Sequence, residues 1–365
     1  MKKRKFELPF HVVKRNTMPL WQSLSIRVIA IVVALLLCSV LSIVLINKSP
    51  LVFFKTMFKA VFSESILVWQ FAKDTAVLLC ISLAVTPAFR MRFWNIGAEG
   101  QTLIGALASV TMAFYFGQGL PNGLLLILML LAAILAGALW GVIPAIFKAK
   151  WNANETLFTL MMNYVAIELV KFFISIWVQS GSGILAPLPS GHLPTVYNSY
   201  FLIIAVVLAL TVMVHIYLQY TKHGYEISVV GESENTARYI GIKVNTVIIR
   251  TMIISGAICG IAGFLIVGAL DHTVSAESTV GGLGFTAIMV SWLAKFNPLA
   301  MIGTSAFITF LSKGTKNLAV RAAFPDMVVG IVLFFIIGCE FFINYKIKLR
   351  NSNNTNNNEK GGEVK

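Results

Sequence analysis

The sequence predicts an all-α polytopic membrane protein of about ten transmembrane helices, arranged as two five-helix halves of inverted orientation. Three observations predict it. First, 57% of the 365 residues are hydrophobic and only 12% charged, whereas a soluble domain carries about 25% charged residues. Second, the apolar residues fall in runs of bilayer-crossing length, about 20 residues each, and none alternates like a membrane barrel strand. Third, the Lys and Arg are unevenly placed: nineteen lie in the segments of one side and six in those of the other. That bias puts both termini in the cytoplasm of a plasma-membrane protein.

The formal charge of +14 is spread over short loops and is not gathered on one face, so it speaks for membrane topology and against nucleic acid. Cys38, Cys80, Cys259 and Cys339 all sit in apolar runs without a CxxC, and the five His have no ligand spacing. No metal site and no disulfide framework are expected. No Walker A, GxSxG or HExxH motif is present, so no catalytic residue is expected.

The domains are expected as follows. Residues 1–27 form a basic cytoplasmic leader, 28–345 the transmembrane domain, and 346–365 a disordered cytoplasmic tail. Residues 219–250 form a cytoplasmic segment inside the transmembrane domain. The leader Lys2–Lys5 and the run Val28–Ile46 resemble a signal peptide, but the run is long enough to span and no small-residue cleavage site follows. It is read as an uncleaved first span.

Within 47–69, Phe54, Phe58, Val61 and Phe62 recur at helical spacing and predict a short surface helix. Span two covers 70–89 with Pro87 near its end, span three 96–116, and span four 124–147. Gly137 and Gly141 in span four are four apart, which favours close helix packing. Span five covers 154–178, and 179–199 is an external loop without a basic residue. Span six covers 200–218, span seven 251–270, span eight 280–293, span nine 298–311 and span ten 326–345. Spans eight and nine are short enough to be re-entrant.

Asn95–Gly100 and Gly281–Phe285 are glycine-broken helix starts, one in each half. Paired broken helices in inverted halves predict a central solute path. Asn95, Glu99 and Gln101 stand at the mouth of span three, where polar side chains are costly unless they face protein, water or ligand. Asn95 and Glu99 share a helix face. Glu99 is open to two roles: accepting hydrogen bonds from a polar solute, or holding the broken helix together. Thr156, Thr159 and Asn163 form a polar stripe extended by Asn154 and Glu155, suited to a hydroxyl-rich solute or to interhelical hydrogen bonding. Glu168 and Lys171 are three apart and can neutralise each other. In 219–250, Ser233 or Asn235 can cap a short helix through Tyr239 that Gly241 ends. That helix is read as a docking lever or as an ordinary solvated loop helix.

NIGAEGQTLIGA (95–106) and VVGESENTARYIGI (229–242) resemble the signatures of permease subunits of bacterial ABC importers. The branch is the one that carries ribose-type sugars, branched-chain amino acids and nucleosides. NETLFTLMMNYVA in span five and GLGFTAIMVSWLAKFNP (282–298) resemble the nucleoside and simple-sugar subgroup. Thr156 and Leu157 replace the more usual Val-Ile, and Lys295 replaces a residue that is usually small. The resemblance covers about residues 70–345.

It implies two permease subunits around a central path, here a heterodimer, and an extracellular substrate-binding lipoprotein that delivers a nucleoside. ATPase subunits would dock on Gly231, Glu232, Asn235, Ala237 and Gly241. ATP and Mg would be used by those partners, with no cofactor bound by this chain. Two alternatives stand beside it. One is the same machine carrying a simple sugar or riboflavin. The other is an ion-coupled secondary transporter with Glu99, Glu168 and Asp271 as carriers.

Overall fold

The computed structural model describes residues 10–15, 18–178, 184–195, 198–318 and 323–349. The chain divides into two compact units, residues 1–57 with 315–365, and residues 58–314.

In the first unit the apolar helices α1 (Leu20–Ile46) and α13 (Phe324–Asn344) pack side by side. Ile26 and Ala30 of α1 meet Cys339 and Ile343 of α13, and Arg27 forms an ion pair with Glu340 at the same level. That pairing lets a charged residue enter a helix that otherwise reads as a span. α1 therefore begins at Leu20, inside the expected leader.

Two further segments depart from expectation. Residues 10–14, assigned to the leader, form strand β1, and Tyr345–Leu349, assigned mostly to a disordered tail, form strand β2. The two pair antiparallel, Phe10 opposite Leu349 and Lys14 opposite Tyr345. The Arg15 N–H continues the ladder to the Asn344 carbonyl at 2.9 Å. YKIKL alternates apolar and basic residues, the period of a strand. The ribbon holds both flanks of the unit on one side of whatever membrane α1 and α13 cross. Residues 350–365 of the expected tail lie outside the described residues.

α2 (Pro50–Phe62) is the short helix expected in the connector. The second unit then contains α3 (Ser65–Arg90), α4 (Ala98–Phe116), α5 (Asn122–Trp151), α6 (Glu155–Trp177) and α7 (Phe201–Tyr220). After α7 come α8 (Lys222–Glu232), α9 (Glu234–Tyr239) and α10 (Val244–Ile266), which continues as a π turn, Val267–Asp271. α11 (Leu283–Leu293) and α12 (Pro298–Lys316) follow.

α10 is the centre of this unit, packed by α3, α4 and α5. Gly256 and Gly260 on α10 lie against the Ala133–Gly137 stretch of α5. A Cβ at Gly137 or Gly256 would overlap the backbone of the other. The four-residue spacing of Gly137 and Gly141 thus marks a true helix seam, in which small residues let backbones touch and dispersion replaces side-chain interlock.

The chain is an all-α polytopic membrane protein. Among the described residues, α1, α3, α5, α6, α7, α10 and α13 are long and apolar enough to cross a membrane, and α4 and α12 have 19 residues each. Span eight does not reach this length. α11 has 11 residues, about 17 Å at 1.5 Å per residue, against a hydrocarbon core of about 30 Å. Its first turn is lost to Gly281 and Gly282, both at positive φ. Span seven starts earlier than expected, because Val244–Arg250 continues α10 in place of a loop.

Candidate functional site

The break between α3 and α4 frees backbone groups that lipid cannot satisfy. Asn95 of the break itself and two side chains of α6 satisfy them, and Gln101 and Ser255 hold Asn95 in place. Asn95 is fully buried; its Oδ1 accepts from the Gly97 N–H at 3.0 Å and from Gln101 Nε2 at 3.2 Å, and its Nδ2 donates to Ser255 Oγ on α10 at 3.2 Å. From α6, Thr159 Oγ1 accepts from the Ile96 N–H at 3.2 Å. Asn163 Oδ1 accepts from the Gly100 N–H at 2.8 Å, and its Nδ2 donates to the Ile96 carbonyl at 3.0 Å. The polar stripe of α6 therefore grips the broken turn.

Glu99 lies in the first turn of α4 and is nearly buried. Its two oxygens accept from the backbone N–H groups of Gly282, at 2.8 Å, and Gly284, at 2.7 Å. It thus caps the start of α11 from 183 residues away. Helix N-termini carry unpaired N–H groups and partial positive charge, so one carboxylate serves two helix starts. Gly284 is required there, because a Cβ would sit 2.7 Å from both the Glu99 Cα and its Oε2.

The structure brings Asn95, Glu99, Gln101, Thr159 and Asn163 together in one buried polar knot around residues 95–100. It keeps Asn154 and Glu155 apart from that knot. Asn154 caps α6, accepting from the Leu157 N–H at 3.1 Å, and Glu155 pairs with Lys148 at 2.9 Å. Glu168 pairs with Lys171 at 3.0 Å, as its spacing suggested.

The segment after α7 folds as two helices. Ser233 ends α8 and caps α9, its Oγ accepting from the Thr236 N–H at 3.3 Å, and Gly241 at φ +83° terminates the motif. α8 buries Gly224, Ile227, Val230 and Gly231 on one face. Gly231 lies against the Arg90 carbonyl at the end of α3, where a Cβ would overlap it. Of the five expected docking residues, Gly231 and Ala237 are buried anchors, while Glu232, Asn235 and Gly241 are exposed. At the tip, Tyr239 is 92% and Ile240 55% exposed.

The family described as the branched-chain amino acid transport system / permease component matches residues 67–337. The chain belongs to this family of permeases. Among its relatives, a glucose ABC transporter permease protein of Haloferax volcanii is 28% identical over 96% of this chain and 97% of its own length. The guanosine ABC transporter permease protein NupP of Bacillus subtilis is 30% identical, covering 78% of this chain and 83% of its own. A second guanosine permease protein of that organism, NupQ, is 29% identical over 64% and 77%.

In this permease, sequence reasoning missed Ser255, the Gly282 and Gly284 partners of Glu99, and the apolar tip Tyr239–Ile240. Only the tip left a local signal, two apolar residues in a polar stretch. The ion-coupled alternative, with Glu99, Glu168 and Asp271 as carriers, is not favoured: the relatives are ABC transporter permeases, both Glu99 oxygens accept backbone N–H groups, and Glu168 is paired with Lys171.

Proposed function

We propose that the permease is the membrane-spanning subunit of an ATP-binding-cassette importer for nucleosides, with its termini and α8–α9 in the cytoplasm of the plasma membrane. Partner ATPase subunits supply the hydrolysis and use ATP and Mg. The observation that carries the reading is the α8–α9 lever. Its inner face is locked under the end of α3, and its outer tip presents Tyr239 and Ile240 to a partner. Large exposed apolar groups on a polar cytoplasmic helix fit a protein interface whose anchors are aromatic.

The path runs past the two broken helix starts, with Asn95, Glu99, Gln101, Thr159 and Asn163 as its polar frame. Asn154 and Glu155 stand at its cytoplasmic edge. An extracellular substrate-binding lipoprotein delivers the solute. The two unlike guanosine permeases of one organism support pairing with a second, different permease subunit, and the guanosine relatives support the cargo. The glucose-named relative, aligned along nearly the whole chain, favours a simple sugar as the second reading.

The test is uptake in proteoliposomes holding the permease with its neighbouring ATPase and second permease. Labelled guanosine is competed with unlabelled guanosine, glucose or riboflavin. Competition by guanosine alone supports the nucleoside reading; competition by glucose alone replaces it. Uptake without any ATPase ends the importer reading.

A further inference from the structure

The sequence reading gave no role to Glu226 or Arg250. In the structure, Arg250 Nη2 donates to Glu226 Oε2 at 2.8 Å, with side chains only 25% and 15% exposed. His223 Nδ1 lies 3.5 Å from the same oxygen. Surface pairs contribute little, but this one is largely shielded and joins two elements with different tasks. Glu226 belongs to α8, and Arg250 to α10.

The position of the pair matters more than its strength. Ser255, which holds Asn95, is five residues beyond Arg250 on the same helix, about 7.5 Å at 1.5 Å per residue. At its other end α8 rests Gly231 on the Arg90 carbonyl, five residues before Asn95. α8 packs on α7, α10 and α3, and two of its contacts, Gly231 on α3 and Glu226 on α10, lead to the polar knot by short, rigid routes. One passes through the end of α3 and the other through the Glu226–Arg250 pair and α10. Packed helices move as units because interiors are close-packed. A pull on α8 with the pair intact shifts α10 and, with it, the Ser255–Asn95 bond. With the pair broken, only apolar packing ties α8 to α10, and α8 can slip on that contact while Gly231 stays on α3.

We propose that Glu226 and Arg250 are positioning residues for transport, a strut that converts movement of the docking helices into movement of α10 and of the broken turn at Asn95. The inference rests on the importer reading. Coupling is a free energy between sites, carried here by an identified pair of contacts.

The experiment uses the full complex with its ATPase subunits in proteoliposomes and reads guanosine uptake per ATP hydrolysed. It compares Glu226→Gln, Arg250→Met and the exchanged pair Glu226→Arg with Arg250→Glu. Expected are normal co-purification of the ATPase with each single variant, continued hydrolysis, and an uptake-to-hydrolysis ratio lowered about tenfold. The exchanged pair restores most of that ratio. An unchanged ratio in Glu226→Gln overturns the proposal, as does failure of the exchanged pair to restore it. Loss of ATPase binding in the single variants also overturns it, making the pair part of the docking surface. If Arg250→Met does not fold, Glu226→Gln and the exchanged pair decide by the same readouts. Absence of an ATPase from the wild-type complex instead defeats the importer reading, an outcome distinct from all of these.

Discussion

The Glu99 carboxylate on α4 accepts the Gly284 N–H of α11 at 2.7 Å. One acidic side chain thereby joins the two glycine-broken helix starts, one from each half of the sequence. An α-helix start buried in apolar surroundings needs partners for its first N–H groups. α11 has no side-chain cap of its own and takes one from another helix. Of the two roles the sequence leaves open for Glu99, solute contact and holding the broken helix together, these bonds are the contacts of the second, with one backbone N–H on each oxygen.

Glu99→Gln keeps the shape and one acceptor but turns an NH₂ toward a backbone N–H. Leaving one buried donor unpaired costs about 1–3 kcal/mol. The expected result is a lower unfolding temperature for the detergent-purified permease, with a parallel fall in uptake. Reduced uptake at unchanged thermal stability would instead assign Glu99 to solute contact. Thermal unfolding followed by intrinsic fluorescence measures the first quantity, and proteoliposome flux the second.

Gly256→Leu and Gly303→Ala should diverge. Gly256 touches the α5 backbone, whereas nothing lies within 4 Å of a Cβ at Gly303. A leucine at Gly256 must force α5 and α10 apart, and little monodisperse protein is expected by gel filtration. Gly303→Ala removes a flexible residue from α12 and should raise stability by up to about 1 kcal/mol. Equal behaviour of the two variants would show that the α5–α10 seam does not hold the fold.

The permeability of these features to sequence reasoning differs for physical reasons. The presence of most spans was legible because apolar runs of fixed length answer directly to the bilayer, while the starts of α1 and α10 were missed because Arg27 and Arg250 are paired inside their helices. The Ser233 cap and the Gly137/Gly141 seam were legible because cap chemistry and four-residue spacing are local signals. The Glu99–Gly284 bond joins residues 185 apart, and no local pattern encodes that proximity. Glu226 and Arg250 were obscured similarly, since Arg250 read as the end of a loop when it belongs to α10. The ribbon had a local signal in the YKIKL alternation, but its charges and place beside a polar tail made it read as solvated chain.

The loop of residues 184–195 should respond to pH. Residues 184–195 are tied to the end of the π turn: the Leu188 N–H donates to the His272 carbonyl at 2.8 Å, and Leu193 N–H to that of Gly268 at 2.8 Å. The His192 and His272 rings stack at 3.8 Å with planes 8° apart. Burial, and then the neighbouring His192, hold the His272 pKa below 6.5. The closed loop therefore binds fewer protons than the open one near that pH, and its stability rises with pH. The attachment should be complete above 6.5 and weaken as pH falls toward the lowered value. The protection factors of the Leu188 and Leu193 amides, corrected for the slower intrinsic exchange in acid, are expected to be smaller at about pH 5.5 than at about 7.5. His272→Asn tolerates the positive φ of this position and should abolish that pH dependence.

Tyr239 and Gly231 separate docking from folding within one lever. Tyr239 is 92% exposed at the tip of α9, so Tyr239→Ala removes almost no internal contact. The purified permease should unfold at an unchanged temperature. If the tip seats in an ATPase subunit, its loss should weaken association by about 2 kcal/mol or more, some thirtyfold in Kd, as for a buried aromatic anchor. Gly231→Trp acts from the opposite face. Its side chain meets the Arg90 carbonyl beneath α8, so the lever must lift off α3. Lower thermal stability should then accompany any loss of ATPase binding. Titration of each variant with the partner ATPase, alongside thermal unfolding, distinguishes the two. Unaltered affinity in Tyr239→Ala would move the docking surface away from the tip, and an unaltered unfolding temperature in Gly231→Trp would mean that α8 is not anchored at Arg90.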